Sequence, residues 1–293
     1  MKTLRRLRCL RFTAELLLLV SLAPVAVHAQ APTKVFVASY GNDANDGSRG
    51  SPKRNFQAAH SAVANGGQIV VLDTAGYGQL NITKSLAVTV PPGVNGFVSV
   101  TGTSNAIQIS AAADAVVSLR GLIIEGGGSR TSATGTFGFG IYVLAVGRLT
   151  VEDCTIRNFL DALPFLPSNT GATLTVQNCR IRNCRYGIDV QAVAGSGGVK
   201  AVIVGCQLEN LEVAVSNSGP DGPDVALEDC VVSYCDTAIQ GSTNFESTKE
   251  WVSNCKFNYV LNVLTGGSQD HTFGNNTVVG GGNNLNPTID PLR

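Results

Sequence analysis

Three arginines lead the side chains here that could do chemistry. Arg157, Arg180 and Arg182 recur in one repeating frame, and Glu209 and Lys256 follow in the same frame. Guanidinium groups grip carboxylates in a two-pronged geometry, so such a row suits an extended polymer with carboxylates at regular intervals. Read blandly, the same row is a solvated face that keeps a sheet in solution. Asp43 and Asp46, in Asn42-Asp-Ala-Asn-Asp-Gly47, are the candidate metal ligands. Their oxygens are the hard donors that calcium takes. The loop lacks the spaced glutamate of an EF-hand, and Asx residues make turns unaided, so calcium is the one cofactor considered and the turn reading leads. The cysteines include no Cys-x-x-Cys pair, and beyond residue 29 only His60 and His271 accompany them, which argues against zinc. No Gly-x-Ser-x-Gly elbow, phosphate loop or dinucleotide fingerprint occurs.

The elements that must position these residues are set by a repeat. Cys154, Cys179, Cys206, Cys230 and Cys255 stand 25, 27, 24 and 25 residues apart. Each lies in one local frame, as in Leu149-Thr-Val-Glu-Asp-Cys154-Thr-Ile-Arg-Asn158 and Leu174-Thr-Val-Gln-Asn-Cys179-Arg-Ile-Arg-Asn183. With the cysteine as position zero, apolar residues at −5 and −3 alternate with small or polar ones, the period of a strand with one buried face. Position −1 is Asp, Asn or Gly, which tolerates a left-handed turn. Alternation then restarts, with the cysteine and position +2 facing inward and +1 and +3 outward. A third apolar run follows, as in Tyr186-Gly-Ile-Asp-Val190 and Val213-Ala-Val-Ser216. Three short strands in about 25 residues make one turn of a solenoid, and no turn can bury its inner face alone. Stacking in register predicts a column of buried cysteines and an asparagine ladder through Asn158, Asn183 and Asn210.

The fold class that follows is all-β: a parallel solenoid with rungs of about 25 residues and a short N-terminal capping helix, which by resemblance to a known family is a single-stranded right-handed parallel β-helix. Phe56, Ala59 and Val63 give the helix its apolar face, and Gly66-Gly67 ends it. Residues 1–29 read as a signal peptide, with Lys2, Arg5, Arg6, Arg8 and Arg11 ahead of an apolar run and Val27-His-Ala29 for cleavage. Residues 30–293 form the β-helix domain: 30–67 as the cap, 68–293 as rungs and C-terminal tail. Gly126–Gly135, Asp161–Pro167 and Val193–Gly198 read as loop excursions. The whole chain carries 21 basic and 21 acidic side chains; without the leader's five basic and one acidic, 16 and 20 remain. That mild acidity argues against a nucleic-acid partner. Cleavage leaves no stable membrane anchor and a secreted or periplasmic product. Seven cysteines remain, and stacked side chains that point the same way bridge poorly, so they are expected as reduced packing residues.

The Asn/Asp-Cys-x-Ile/Val-x-Asn frame, the rung length and the ladder resemble the right-handed parallel β-helix proteins of the pectin-lyase-like fold, over essentially the whole mature chain. The resemblance implies secreted bacterial proteins acting on or binding polysaccharides. Uronate lyases of that fold show a Trp-Ile-Asp-His run, yet Trp251 is followed by Val-Ser-Asn. Pectin hydrolases of that fold show Asp-Asp and Gly-His-Gly, and neither Asp-Asp nor His-Gly occurs. No catalytic residue is therefore carried over. The expected function is a glycan- or envelope-binding surface at Arg157, Arg180, Arg182, Glu209 and Lys256, with a polysaccharide as partner. The alternative is a uronate polysaccharide lyase or epimerase with a divergent site around the three arginines. A structural or adhesive passenger is a third reading.

Overall fold

The structure, a computed structural model, describes residues 30–127, 138–195, 197–241, 249–265, 275–281 and the backbone of 269–272 and 288–289. The chain divides into Met1–Ala31 and Pro32–Arg293. The predicted leader and most of the Gly126–Gly135 loop lie outside the described residues.

The second unit coils as a right-handed parallel β-helix whose three sheets run its length. Each rung gives one strand to each sheet. In the rung of Cys179 these are Thr173–Gln177, Arg180–Arg182 and Tyr186–Gln191. All strand pairs between rungs are parallel, and the register follows the repeat: Leu149, Leu174, Ala201 and Val225 are successive partners on the first sheet. On the second, Ile156, Ile181, Leu208, Val232 and Phe257 stack inward. Their near-complete burial drives the coil, because each rung's apolar face is covered only by its neighbours.

Two corners are pinned by left-handed residues. Position −1 is Asp153, Asn178, Gly205, Asp229 and Asn254, all with φ between 50° and 63°. Position +4 is Asn158, Asn183, Asn210, Tyr234 and Tyr259, with φ between 52° and 65°. Asn and Gly adopt this conformation at little cost, whereas a bulky residue loses roughly 1–2 kcal/mol there. The asparagine ladder forms as the repeat predicts: Asn183 Nδ2 donates to Asn158 Oδ1 at 3.4 Å, and Asn210 Nδ2 donates to Asn183 Oδ1 at 2.9 Å. The five cysteines also form one interior file. All five are buried, and each thiol lies 3.2–3.4 Å from the carbonyl two residues before it.

Lys34–Val37 extends the first sheet beyond the first rung by pairing with Gly67–Val71. Helix α1, Phe56–Ala62, lies against Leu80–Ile82, the terminal strand of the third sheet. Gln57 Oε1 accepts the Asn81 N–H at 2.8 Å and His60 Nε2 accepts the Thr83 N–H at 3.3 Å. The helix thus covers an exposed sheet edge and supplies acceptors to its backbone donors.

One expectation is corrected here. Asp161-Ala-Leu-Pro-Phe165 is a strand of the third sheet, not a loop excursion. Its proline misled the sequence reading, since Pro has no N–H for a ladder. In the fold Pro164 lies beside Asp189 of the next rung, and the strand pairs on either side of it.

Candidate functional site

The predicted arginine stripe is a real column on the outer face of the second sheet. Thr155, Arg180, Gln207, Val231 and Lys256 stack at +1, and Arg157, Arg182, Glu209, Ser233 and Asn258 at +3. Its charges are turned on one another. Arg157 Nη2 meets Glu125 Oε2 at 3.0 Å, and Arg180 Nη2 meets Glu209 Oε2 at 2.9 Å across one rung. Arg182 keeps its Nε buried, with no hydrogen-bond partner among the described residues.

Asp43 and Asp46 hold the loop before α1. Asp43 Oδ1 accepts the N–H groups of Arg54 and Asn55, each at 2.9 Å, and Oδ2 accepts Asn55 Nδ2 at 2.6 Å. Asp46 Oδ1 accepts the Ser48 N–H at 2.9 Å. Burial raises the Asp43 pKa, but the hydrogen bonds from Asn55 and Arg54 outweigh it and hold the carboxyl below its ordinary range. Among the described residues no cluster of three or more His, Cys, Asp or Glu side chains is placed to hold a cation.

A different set of residues converges on the third sheet. Outward side chains of Asp161–Phe165, Tyr186–Gln191, Val213–Ser218 and Thr237–Gly241 border an open cleft of about 460 Å³. Asp189, Ser216 and Gln240 lie level with one another, one per rung. Asp161 lies level with Tyr186, one strand away from Asp189 and displaced along it. The sequence builds this locally by alternation: Ile188 and Val190 go inward, and Asp189 between them goes outward. Gly187 lets the strand sit against its neighbour, since a Cβ there would lie 2.4 Å from the Ala214 carbonyl oxygen.

The two carboxyls sit in unequal environments. Asp189 is 8 % exposed. Its Oδ2 accepts Gln191 Nε2 at 2.7 Å, and the Ser216 hydroxyl also bonds it. Burial raises its pKa against those two hydrogen bonds. Asp161 has neither kind of support, and its Oδ1 is buried with no hydrogen-bond partner among the described residues. Burial first, and then the neighbouring Asp189 charge, push the Asp161 carboxyl up to about 7, against the pull of Arg185. Arg185 is held by both oxygens of Glu212, at 2.9 and 3.3 Å, and its guanidinium lies 5.2 Å from the centre of the Tyr186 ring. Of the two acids, Asp161 therefore keeps its proton near neutrality and Asp189 ionises more readily. Two carboxyls of unequal acidity lining one cleft are the groups that general acid and general base work requires.

Sequence reasoning did not reach this pair. Asp161 sits seven places after its cysteine and Asp189 ten places after its own, so the two never share a frame position. The available signal was Asp189 itself, an acid at an outward position where the following rungs carry Ser216 and Gln240.

The family described as "Right handed beta helix region" matches residues 95–222. Among solved structures the fold is similar to pectin methylesterase PemA from Erwinia chrysanthemi, at 13 % identity and a TM-score of 0.54, covering 90 % of this chain and 94 % of that one. It is similar to a rhamnogalacturonan lyase at 10 % identity and a TM-score of 0.50, covering 83 % and 74 %. It is also similar to pectate lyase Pel9A at 13 % identity and a TM-score of 0.50, covering 88 % and 78 %. No curated protein sequence matches the chain. At such identities these likenesses establish the fold alone.

Proposed function

We propose that this right-handed parallel β-helix protein is a secreted or periplasmic polysaccharide-acting protein, and that the third-sheet cleft is its site of acid–base hydrolysis. The observation that carries the reading is the Asp161–Asp189 pair: two carboxyls in one cleft, both raised by burial, with Asp161 pushed up to about 7 and the rise at Asp189 opposed by hydrogen bonds from Gln191 and Ser216. Support for a carbohydrate comes from the fold neighbours, whose names include a pectin methylesterase, a pectate lyase and a rhamnogalacturonan lyase. Support for export comes from the basic and then apolar pattern of residues 1–29. No helix among the described residues is long and apolar enough to cross a membrane.

In this mechanism a polysaccharide segment lies in the cleft with Tyr186 as an apolar wall and Gln240 and Ser216 bonding its hydroxyls. Asp161 gives its proton to the departing oxygen as the C–O bond breaks. Asp189 takes a proton from the water that adds to the carbon. Proton exchange with solvent then returns both carboxyls to their starting states.

The test is hydrolysis of a panel of pectic and neutral polysaccharides, followed by new reducing ends and by released methanol and acetate. Product from the natural protein that falls by about 10²–10⁴-fold in both Asp161→Asn and Asp189→Asn supports the reading. Product that survives both substitutions, or no product on any polymer, overturns it. Unsaturated product lost on Arg180→Ala would instead place the chemistry at the arginine stripe.

A further inference from the structure

We infer that a second glycan site, built for stacking and not for catalysis, lies on the second sheet at Tyr234. The ladder position +4 changes character there. Asn158, Asn183 and Asn210 give way to Tyr234 and Tyr259, both still left-handed, with φ of 56° and 52°. Each residue is 58 % exposed. Tyr adopts this backbone reluctantly and gives up the amide bonds that asparagine makes between rungs. Stacking gives back rung-to-rung contact, but it leaves two large side chains exposed where asparagine would do, which points to a use for them at the surface.

Their geometry supplies one. The two rings are parallel within 5°, with centres 5.4 Å apart. Tyr259 is itself backed by Gly280 of the next rung, whose added Cβ would lie 3.0 Å from the ring. Tyr259 therefore props one face of Tyr234. On the other side, toward the preceding rungs, Tyr234 borders a groove of about 330 Å³ with Arg180, Gln207, Glu209, Val231 and Ser233. All of these come from Tyr234's own rung or the two before it, on the side away from Tyr259. A rigidly supported aromatic face beside a row of donors and acceptors fits a pyranose: its C–H face lies on the ring and its hydroxyls meet the polar row. Among the described residues the charges lining the groove are Arg180 and Glu209, which neutralise each other at 2.9 Å. The fitting ligand is therefore a neutral, hydroxyl-bearing stretch of polysaccharide, not a polyanion.

The site is on a different sheet from the carboxylate cleft and is independent of hydrolysis. Affinity electrophoresis reads it without turnover, using gels cast with galactan, xylan or mixed-linkage β-glucan, and with polygalacturonate as the acidic arm. The informative variant is Tyr234→Asn, because asparagine already serves this corner in the three preceding rungs and extends the ladder. The expected result is retardation of the natural protein by at least one neutral polymer, a loss of about tenfold in affinity in Tyr234→Asn, and thermal stability equal to or above that of the parent. Tyr234→Phe keeps the ring and keeps the retardation. Unchanged retardation in Tyr234→Asn, retardation only by polygalacturonate, or none by any polymer overturns the inference.

Discussion

Asn217 Nδ2 donates to Glu250 Oε1 at 2.7 Å inside the coil. Asn217 is 0 % exposed and Glu250 1 %, and Glu250 continues the column of Leu149, Leu174, Ala201 and Val225. One residue comes from the third sheet and the other from the first, so the bond ties two walls of the solenoid together across its core. Removing one partner leaves the other desolvated. Glu250→Leu alone is expected to destabilise by about 1–3 kcal/mol, and Asn217→Val alone by a similar amount. The double variant, which restores the residue types of neighbouring rungs, is expected to regain most of the loss. A double-mutant cycle by urea unfolding measures the coupling; additive losses would show that the two residues act separately.

The Asp161 carboxyl, at about 7, lies above its unfolded value of 3.8. Between those values the unfolded chain releases a proton that the folded chain holds, so this residue lowers stability as pH rises from about 4 to 7. Asp161→Asn is expected to stabilise the fold at pH 7.5 by up to about 4 kcal/mol, and by little at pH 4. Melting temperatures at the two pH values check it. Hydrolysis in the natural protein is expected to fall above about pH 7, as Asp161 loses its proton.

His60 works in the opposite direction. Burial first, and Lys84 second, lower its pKa below the ordinary 6.5, and its Nε2 accepts the Thr83 N–H only when unprotonated. The unfolded chain therefore takes up a proton first as pH falls below about 6.5, and the N-terminal cap weakens there. His60→Gln keeps an acceptor without titrating. Hydrogen exchange at Leu80–Ile82, compared at pH 7.5 and pH 5, should quicken in the natural protein beyond the intrinsic pH effect and not in the variant.

Asn183 serves the ladder twice, as donor to Asn158 and acceptor from Asn210, while holding φ at 56°. Asn183→Gly and Asn183→Ala both remove the ladder bonds, but glycine also sheds the Cβ from the left-handed backbone, whereas alanine keeps one there without an amide. The alanine variant is expected to lose about 1–2 kcal/mol more than the glycine one. Equal losses in chemical denaturation would show that the backbone conformation carries none of the cost.

The seven cysteines of the described residues are buried, and none is joined in a disulfide. Burial pushes the Cys184 thiol up to about 12, far from a reactive thiolate at neutral pH. The folded mature protein is expected to leave a thiol reagent unreacted at pH 8. In denaturant without reductant it should titrate seven groups. A lower count would reveal a disulfide.

The fold was legible because it rests on a pattern that repeats with fixed phase. Cys179, Ile181 and Asn183 each announce their neighbours at the same place in the next rung, and stacking does the rest. The asparagine ladder was legible for the same reason. The carboxylate pair was not, because Asp161 and Asp189 occupy different frame positions in successive rungs, and only the coil brings them to one cleft. Pro164 compounded this by making the strand of Asp161 look like a loop. Glu250 could be read as a polar residue in an apolar column, but its partner Asn217 belongs to another wall that no local spacing connects to it.

The two left-handed corners differ from the third in one respect with consequences over longer times. Positions −1 and +4 each fix a short turn with one residue, while the connections from the third sheet back to the first, residues 166–172, 192–199 and 219–223, vary in length from rung to rung. The last two of those connections leave from the ends of the strands that carry Gln191 and Ser218, at the rim of the carboxylate cleft. A lineage can therefore lengthen or recompose that rim by insertion and deletion while the stacked frame stays in phase. Cleft rim and stacked frame thus occupy separate stretches of the same chain.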